Sequence, residues 1–435
     1  MRLLSPLVLL SLAGCSLIQG ARGDVCPEED PALHIGQTPT SLDVDCRCHA
    51  TFGNSTNYPL ECQTGGEAIA NGAEFGEGPK IWETGGRIRG GDLWEDRGEI
   101  IVAVSNGSNQ TGFVMALDYE TGDRRIVSGV YQDPNKGLVE VGSGAFWLET
   151  THALRGPDDM LYVYAHGSEY DSAISGQDVI NEIWRVDPDT GDRTMIWQHK
   201  LKNPGNSSYG ICNNGNPDDP RPLQLMLEGG AFEVAEDGAF FIGNIRNGSP
   251  MPGVGLIEVS ADGRDCRVVS MNPGSAGNDY ENGVGGGFDF GLAVETINHI
   301  NGELLVMDNN NLLRVDRETG DRERLMTVGW PGVLQWDPSR ELYHLTSIEP
   351  PYVAGGVLAT VDVGAEQSWM WSRCSNIDED HPFAEICLDG GNAENILNNN
   401  QGWVLPDGEH LITVNDRDLF AIVDMDTAVL NHFSL

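Results

Sequence analysis

The chain has 435 residues, of which 40% are hydrophobic, 7% are aromatic and 55 are glycines. This length allows one large domain or two or three smaller ones, and the glycine content suits short strands better than long helices. With 66 acidic and 26 basic residues, the net charge is −40. Such a surface repels nucleic acid and anionic lipid headgroups, and it fits either solubility in a salty or calcium-rich medium or carboxylates that bind divalent cations.

The N-terminus is predicted to be an export signal. It reads MRLLSPLVLLSLAGCSLIQG, with one arginine and an apolar run of about ten residues, too short for a membrane span. The segment Leu12-Ala13-Gly14-Cys15 resembles a bacterial lipobox, which implies a signal peptide over 1–14, a lipid on Cys15 and, from Ser16, an outer-membrane location. An ordinary secretory signal, which would leave the protein secreted or periplasmic, is the alternative.

Eight further cysteines, an even number in an exported chain, point to disulfides. Their spacing suggests two pairs, Cys212 with Cys266 and Cys374 with Cys387. The other four would staple an extension over residues 26–75, after a tether over 15–25, and their pairing stays open. Zinc binding by Cys46-Arg47-Cys48-His49 is an alternative, but the sequence has no CxxC pair to complete a zinc site. The eight are Cys26, Cys46, Cys48, Cys62, Cys212, Cys266, Cys374 and Cys387.

From about residue 85, short apolar runs alternate with turn residues in six similar units. In each unit a first strand ends in a polar turn: LWEDRG, ALRGPDD, EVAEDG, NHING, QWDPSR and WVLPDG. An apolar second strand follows, such as EIIVAV or ELLVMD, and then a third and a fourth strand. Four antiparallel strands repeated six times predict an all-β fold, a six-bladed β-propeller over residues 76–435.

A repeated phrase joins the third strand to the fourth: LDYETGD from Leu117, VDPDTGD from Val186 and VDRETGD from Val315. We interpret it as a hairpin turn whose leading Asp accepts hydrogen bonds from turn amides. Gly122, Gly191 and Gly320 would supply the positive φ that this turn needs. The phrase also looks like an EF-hand fragment, but it is too short and lacks the closing Glu.

The blade pattern over about residues 85–435 resembles the superfamily of NHL-repeat and gluconolactonase-like propellers. The segment Gly76-Glu77-Gly78-Pro79-Lys80-Ile81-Trp82 resembles the GEGPxW opening of the gluconolactonase-like family, whose Glu is a metal ligand. That resemblance implies Glu77 as the ligand. The sequence departs from the family in an extra residue before Trp82, and its nearest match to a later Asn-Gly-Leu motif is Asn282-Gly283-Val284.

Function is expected on the face with the long loops, because binding residues concentrate on loops held by a rigid scaffold. These are the blade connections and second-to-third-strand loops at 129–148, 199–227, 272–291, 374–398, 105–111, 166–180 and 244–253. The alternative is that the loops only shield the axis.

Carboxylates and amides are predicted to converge on the axial opening, where they could form an oxygen-ligand site for calcium. With Glu77, the candidate metal ligands are Asp92, Glu149, Glu228, Asn244, Glu295 and Asp308. Other residues predicted near the opening are Arg89, His152, Asn400, Asn106, His166 and Asn415. In a very acidic protein, the same residues could simply line a water-filled tunnel.

The sequence lacks the GxSxG, HExxH and strand-linked GxGxxG motifs. Two functions therefore stay open. The first is a surface-displayed, monomeric binding module that recognises a protein, a glycan or a small molecule, with contact to the membrane only through its lipid. The alternative is a calcium-dependent hydrolase of the lactonase or esterase type, with its site at the axial opening.

Overall fold

The computed structural model describes residues 78–79, 86–106, 111–119, 121–145, 149–171, 176–201, 225–227, 231–247, 254–273, 283–291, 294–308, 311–327, 332–337, 342–348, 356–362, 367–373, 399–406, 410–415, 419–424 and 429–434. The predicted signal peptide, lipidation site, tether and Cys-rich extension lie outside these residues. So do all the cysteines except Cys266, which is disulfide-bonded; its pairing with Cys212 stays a prediction at this point.

The described part of the chain is all-β and forms six sheets with antiparallel pairing throughout. Sheet 1 contains β1 (Arg87–Trp94), β2 (Glu99–Asn106), β3 (Thr111–Asp118), β4 (Arg124–Asp133) and β5 (Gly137–Val141). Sheet 2 contains β6 (Glu149–Arg155), β7 (Leu161–Asp171), β8 (Gly176–Val186) and β9 (Arg193–Leu201). Sheet 3 contains β10 (Leu225–Leu227), β11 (Phe232–Val234), β12 (Phe240–Asn247), β13 (Val254–Val259) and β14 (Cys266–Met271).

The remaining three sheets have four strands each. Sheet 4 contains β15 (Val294–Ile300), β16 (Glu303–Asp308), β17 (Asn311–Val315) and β18 (Arg322–Thr327). Sheet 5 contains β19 (Gly332–Asp337), β20 (Leu342–Ile348), β21 (Gly356–Asp362) and β22 (Gln367–Arg373). Sheet 6 contains β23 (Asn399–Val404), β24 (His410–Asn415), β25 (Leu419–Asp424) and β26 (Val429–Ser434). The prediction of an all-β chain built from four-stranded antiparallel units is confirmed.

Two sheets differ from the predicted pattern. Residues 129–148 were expected to be a connecting loop, yet Gly137–Val141 forms β5, which pairs with the outer strand β4. In sheet 3, β10 and β11 both pair with β12, so the first strand of this sheet is interrupted. Among the described residues the helical structure is a 3-10 turn at Glu95–Arg97, and no described helix is long and apolar enough to span a membrane.

The first strands of the sheets contact one another in chain order. Strand β1 lies against β6, β6 against β11, β11 against β15, β15 against β19 and β19 against β23, and β23 returns to β1. A closed cycle of sheets with their first strands at the centre is consistent with a β-propeller.

The core lies between neighbouring sheets because side chains alternate along each strand. In β2, Ile100 and Val102 belong to a cluster with Trp403 of sheet 6, whereas Ile101 belongs to a cluster with Leu161 of sheet 2. The side chains of β12 alternate in the same way. Phe240 belongs to a cluster with residues of sheet 2, and Phe241 belongs to a cluster with residues of sheet 4. Strands β2 and β12 therefore each contribute to two interfaces.

The repeated phrase forms the predicted turn in all three places. The amide of Gly122 donates to the carbonyl oxygen of Asp118, and equivalent bonds occur at Gly191 and Gly320. The leading carboxylate accepts from the amide of the following threonine, as at Asp118 over 2.8 Å. The three glycines have φ of 75°, 76° and 76°, so the interpretation of the phrase as a hairpin turn is confirmed.

An arginine that follows this turn ties the outer rims of neighbouring sheets together. The Arg193 side chain is 0% exposed and donates to the carbonyl oxygens of Val141 (2.7 Å) and Ala145 (3.2 Å), in the segment that leads into its own sheet. Arg322 donates in the same way to the carbonyl oxygen of Phe288, over 2.6 Å. We call this joint a rim clasp: Arg193 with residues 141–145, and Arg322 with residues 284–289.

The rim clasps correct the expectation that the connections at 129–148 and 272–291 lie wholly on the long-loop face. Ser143 donates through its amide to the Asp192 carboxylate of the sheet 2 turn, over 2.8 Å. The amide of Gly286 makes the equivalent bond to Asp321 over 2.7 Å. These parts of the connections pack against the outer turn of the next sheet, so they hold the rim.

We expect the substitution Arg193→Met to lower the free energy of unfolding by about 3 kcal/mol, because it removes the hydrogen bonds that the buried guanidinium makes to Val141, Ala145 and Glu140. Urea unfolding measures the change. Arg185→Met is the matched control, since the Arg185–Asp158 pair is about 40% exposed on each side (41% and 39%) and such surface pairs contribute at most about 1 kcal/mol. Equal losses in the two variants would contradict the clasp role of Arg193.

Candidate functional site

Four first strands carry a one-residue bulge at the same place. The extra residues are Arg89, Thr151, Glu295 and Asn400. In each case the next residue pairs with an equivalent position of the second strand; these positions are Ala103, Tyr164, Met307 and Val414. Bulges re-aim side chains and are frequent beside functional sites. We call this set of positions the bulge level.

An ion pair joins two sheets at the bulge level. Arg89 Nη2 donates to Glu149 Oε1 over 3.0 Å, and Ser105 Oγ donates to the same oxygen over 2.7 Å. The side chains of Arg89 and Glu149 are 42% and 30% exposed. This pair is therefore open to solvent and presents both a donor and an acceptor group.

The imidazole of His152 lies beside the bulges, against the backbone of β1. A Cβ added at Gly90 would come within 2.6 Å of its Cδ2 atom, so a larger residue than glycine does not fit there. Burial lowers the pKa of His152 to about 4. His152 is therefore neutral near pH 7.

A second set of equivalent positions lies three residues further along the first strands, about 10 Å deeper. Each member pairs in register with the same position of its second strand, which is Ile101 in sheet 1 and Ile412 in sheet 6. They are Asp92, Leu154, Glu233, Asn298, Gln335 and Trp403. We call this set the inner level; four of its six residues are carboxylates or amides.

The two inner-level carboxyls make the same contact with the next sheet. The amide of Arg155 donates to Asp92 Oδ2 over 2.8 Å, and the amide of His299 donates to Glu233. Arg155 and His299 each directly follow the inner-level residue of their own strand. The carboxyls thus satisfy amides on the inner edges of β6 and β15, which are edge strands of the described sheets.

The inner-level carboxyls also interact across the interior. Burial raises the pKa of Asp92 to about 6, although the hydrogen bonds from the amides of Arg155 and Leu93 act to lower it. Burial, with the Asp92 charge adding to it, raises the pKa of Glu233 well above its ordinary value. Sheets 1 and 3 are both neighbours of sheet 2, so the two carboxyls lie at one level on either side of it.

The predicted metal ligands do not gather at one point in the described part of the chain, where no group of three or more His, Cys, Asp or Glu residues could hold a metal. Glu149 lies at the bulge level, and Asp92 lies deeper. Asp308 is fully buried and accepts from the amide of Gly291 (2.9 Å) and from the amide and side chain of Asn311 (2.7 and 3.0 Å).

The other predicted positions are only partly described. Glu77 and Glu228 lie outside the described residues, as do the side chains of Asn244, Glu295, Asn400, Asn106 and Asn415, whose backbones lie in strands. His166 is half-buried and pairs in register with Glu149. The calcium site stays a prediction. Sequence analysis missed Glu233, because its short strand FEV shows no polar pattern and only the register aligns it with Asp92.

The segment that resembles the gluconolactonase-like opening has equivalents inside this chain. Gly78 packs against the backbone of Arg124, as Gly144 does on Arg193 and Gly287 on Arg322, with no room for a Cβ. The Gly-x-Gly at 76–78 thus matches those at 142–144 and 285–287, both parts of rim clasps. This equivalence offers an architectural reason for the GEGP sequence.

No known protein family model and no curated protein matches the sequence. Among solved structures, the chain is similar to TolB from Acinetobacter baumannii, with 12% identity, a TM-score of 0.43, and 80% of this chain and 63% of that chain covered. The calcium-binding protein regucalcin from Agrobacterium tumefaciens has 11% identity and a TM-score of 0.39, with 77% of this chain and 86% of that chain covered. A streptogramin B lyase has 11% identity and a TM-score of 0.39, with 83% of this chain and 86% of that chain covered. The structural neighbours have β-propeller-like folds.

The raised pKa of Asp92 predicts a pH-dependent stability. Because burial raises this pKa from 3.8 to about 6, the stabilisation from the protonated carboxyl is complete below pH 3.8 and is lost as the pH rises to about 6. The variant Asp92→Asn lacks this loss, so its free energy of unfolding should rise relative to the wild type between pH 4 and 6. Urea unfolding across this range gives the difference.

Asp316→Asn is the control for this experiment. The amide of Thr319, its hydroxyl and the amide of Glu318 lower the pKa of Asp316, so this carboxylate is ionised in both states above about pH 5. The difference between Asp316→Asn and wild type should then stay constant from pH 5 to 6. If the Asp92→Asn difference were equally constant, the raised pKa would be wrong.

Proposed function

We propose that the chain is an exported six-bladed β-propeller that acts as a binding module, with a polar ligand held at the long-loop end of its axis. The observation that carries the proposal is the bulge level. Four first strands place an extra residue at one height beside the axis, and these residues differ in type: Arg89, Thr151, Glu295 and Asn400. The two described side chains act differently: Thr151 donates to the carbonyl oxygen of Tyr164 in its own sheet, whereas Arg89 reaches Glu149 of the next sheet.

The ligand chemistry follows from the groups at this level. The half-exposed Arg89–Glu149 pair offers a donor and an acceptor side by side, which suits hydroxyl and amide groups of an uncharged ligand. The net charge of −40 disfavours anionic ligands over longer distances. We therefore propose a neutral glycan or a hydroxyl-rich peptide segment as the ligand class.

The described carboxylates give less support to a calcium-dependent lactonase or esterase. Calcium takes six to eight oxygen ligands at about 2.3–2.6 Å. Arg89 lies 3.0 Å from Glu149 and would repel a dication there, while burial favours the neutral form of Asp92. The hydrolase would depend on residues such as Glu77 and Glu228, which lie outside the described residues.

The location of the protein is part of the proposal. The LAGC segment before Ser16 supports lipid attachment at Cys15 and anchoring to the outer membrane, with the propeller acting as a monomer. A lipid anchor would present the binding face to partners without any membrane span.

The ligand proposal predicts a change in thermal stability. A panel of neutral oligosaccharides and Ser/Thr-rich peptides is added to the purified protein, since a ligand at 100 times its Kd stabilises the folded state by about 2.7 kcal/mol. We expect at least one probe to raise the Tm of the wild type but not that of the Arg89→Ala, Glu149→Ala double variant. Arg185→Ala, at a distant ion pair, is the control and should keep the shift.

Two results would overturn the ligand proposal. One is that no probe shifts the Tm of the wild type. The other is turnover of γ-butyrolactone or p-nitrophenyl acetate that requires added calcium, because it would favour the hydrolase.

The anchor proposal predicts that Cys15→Ser moves the protein from the detergent phase to the aqueous phase in Triton X-114 partitioning of a Gram-negative expression host. The physical reason is the loss of the acyl chains, each buried CH₂ contributing about 0.8 kcal/mol to membrane binding. Cys26→Ser is the control and should stay in the detergent phase. Aqueous partitioning of the wild type would rule out lipid attachment.

A further inference from the structure

Cys266 occupies the position that arginine holds in other sheets. In three sheets an apolar residue at the C-terminal end of the third strand pairs in register with an arginine: Leu117 with Arg124, Val186 with Arg193 and Val315 with Arg322. In sheet 3 the equivalent pair is Val259 with Cys266. All four residues are buried, with 5–6% of their surface exposed.

The turn before Cys266 is seated like the turns before the clasp arginines. Gly191 packs against the backbone oxygen of Val127 in sheet 1, and Gly320 packs against that of Val269 in sheet 3. Gly263, in the sheet 3 turn, packs in the same way against Ile196 of sheet 2. Sheet 3 therefore meets the sheet before it with the same rim geometry as sheets 2 and 4.

Each clasp arginine binds the segment that leads into its own sheet. Arg193, in sheet 2, contacts residues 141–145, which follow sheet 1. Arg322, in sheet 4, contacts Val284 and Phe288, which follow sheet 3. By this rule, the residue at position 266 should bind the segment between sheets 2 and 3, residues 202–224. That segment contains one cysteine, Cys212.

We propose that Cys266 forms its disulfide with Cys212, and that this covalent cross-link replaces the arginine of a rim clasp. Cys266 is disulfide-bonded, and the register selects its partner. The inference concerns the seam between sheets 2 and 3 and does not depend on the proposed binding function.

The surroundings of Cys266 explain why a disulfide suits this seam. Cys266 belongs to the apolar cluster that contains Tyr162, Trp197 and Phe240. An arginine at this position would have to find its hydrogen-bond acceptors in the connecting segment, as Arg193 and Arg322 do. A disulfide needs no hydrogen-bond partners and joins the connection to the rim without a buried charge.

The cross-link forms by oxidation of two thiols. Each Sγ–H loses its hydrogen, the two sulfur atoms form one Sγ–Sγ bond, and two electrons and two protons pass to a disulfide-bearing oxidant, which becomes a dithiol. Export to an oxidising compartment would supply such an oxidant.

The pairing is tested directly on the wild-type protein by mass spectrometry of a non-reduced, thiol-blocked tryptic digest. Trypsin cuts after Arg264 and Arg267, so Cys266 leaves in the peptide Asp265–Arg267. We expect this peptide linked to the one that contains Cys212, and released by reduction. A link from Cys266 to any other cysteine, or a blocked free thiol at Cys266, would overturn the pairing.

The replacement of an arginine clasp is tested by a rescue. The double variant Cys212→Ser, Cys266→Ser should lose roughly 5 °C in Tm, as expected for removal of a native cross-link, and its Tm should no longer respond to dithiothreitol. The double variant Cys212→Ser, Cys266→Arg should regain part of this loss. If arginine at 266 restores nothing, the equivalence with the clasp is wrong.

The matched control is Cys374→Ser, Cys387→Ser, which removes the other pair suggested by spacing. The digest of this variant should still contain the link between Cys212 and Cys266. Loss of that link in the control would mean that the cysteines pair differently, and the proposal would fail.

Discussion

Contact between the last sheet and the first is the constraint on which the rest of the structure depends. Sheet 1 is apolar on both faces, and so is sheet 3. Such sheets need two neighbours each, and an open row would leave apolar faces in water. Trp403 closes the row: it is 1% exposed and lies in one cluster with Ile88 and Ile100 of sheet 1. Gly91 makes room for its ring, since a Cβ there would come 3.0 Å from Trp403.

Two kinds of contact hold the seams, one at the rim and one near the axis. At the rim, buried arginines reach back to the connecting segment. Near the axis, Asp92 and Glu233 accept backbone amides of the next first strand. Both contacts occur between sheets 1 and 2 and again between sheets 3 and 4. Between sheets 2 and 3 lies a large aromatic cluster, and the arginine position of sheet 3 is held by the disulfide-bonded Cys266.

This division of roles bears on function. The inner-level carboxyls are committed to strand edges and become neutral more easily than ordinary carboxylates. At the bulge level, about 10 Å away along the strands, the Arg89–Glu149 pair is open to solvent, and the bulged residue differs from sheet to sheet. A rigid interior with a variable, polar opening is what a binding scaffold requires.

The sequence by itself determined the repeated four-stranded units and their turns, although it missed β5. Period-two alternation predicted the four-stranded units, and the repeated Asp-x-x-Thr-Gly-Asp phrase predicted a turn that the structure confirms at Asp118, because both depend on residues close together in the chain. The link from Cys212 to Cys266 was suggested by spacing alone. Only the tertiary structure aligned Cys266 with Arg193, Gly78 with Gly144, and Glu233 with Asp92. These equivalences join residues tens to hundreds of positions apart, and they depend on strand register and on which sheets touch, which no local pattern encodes.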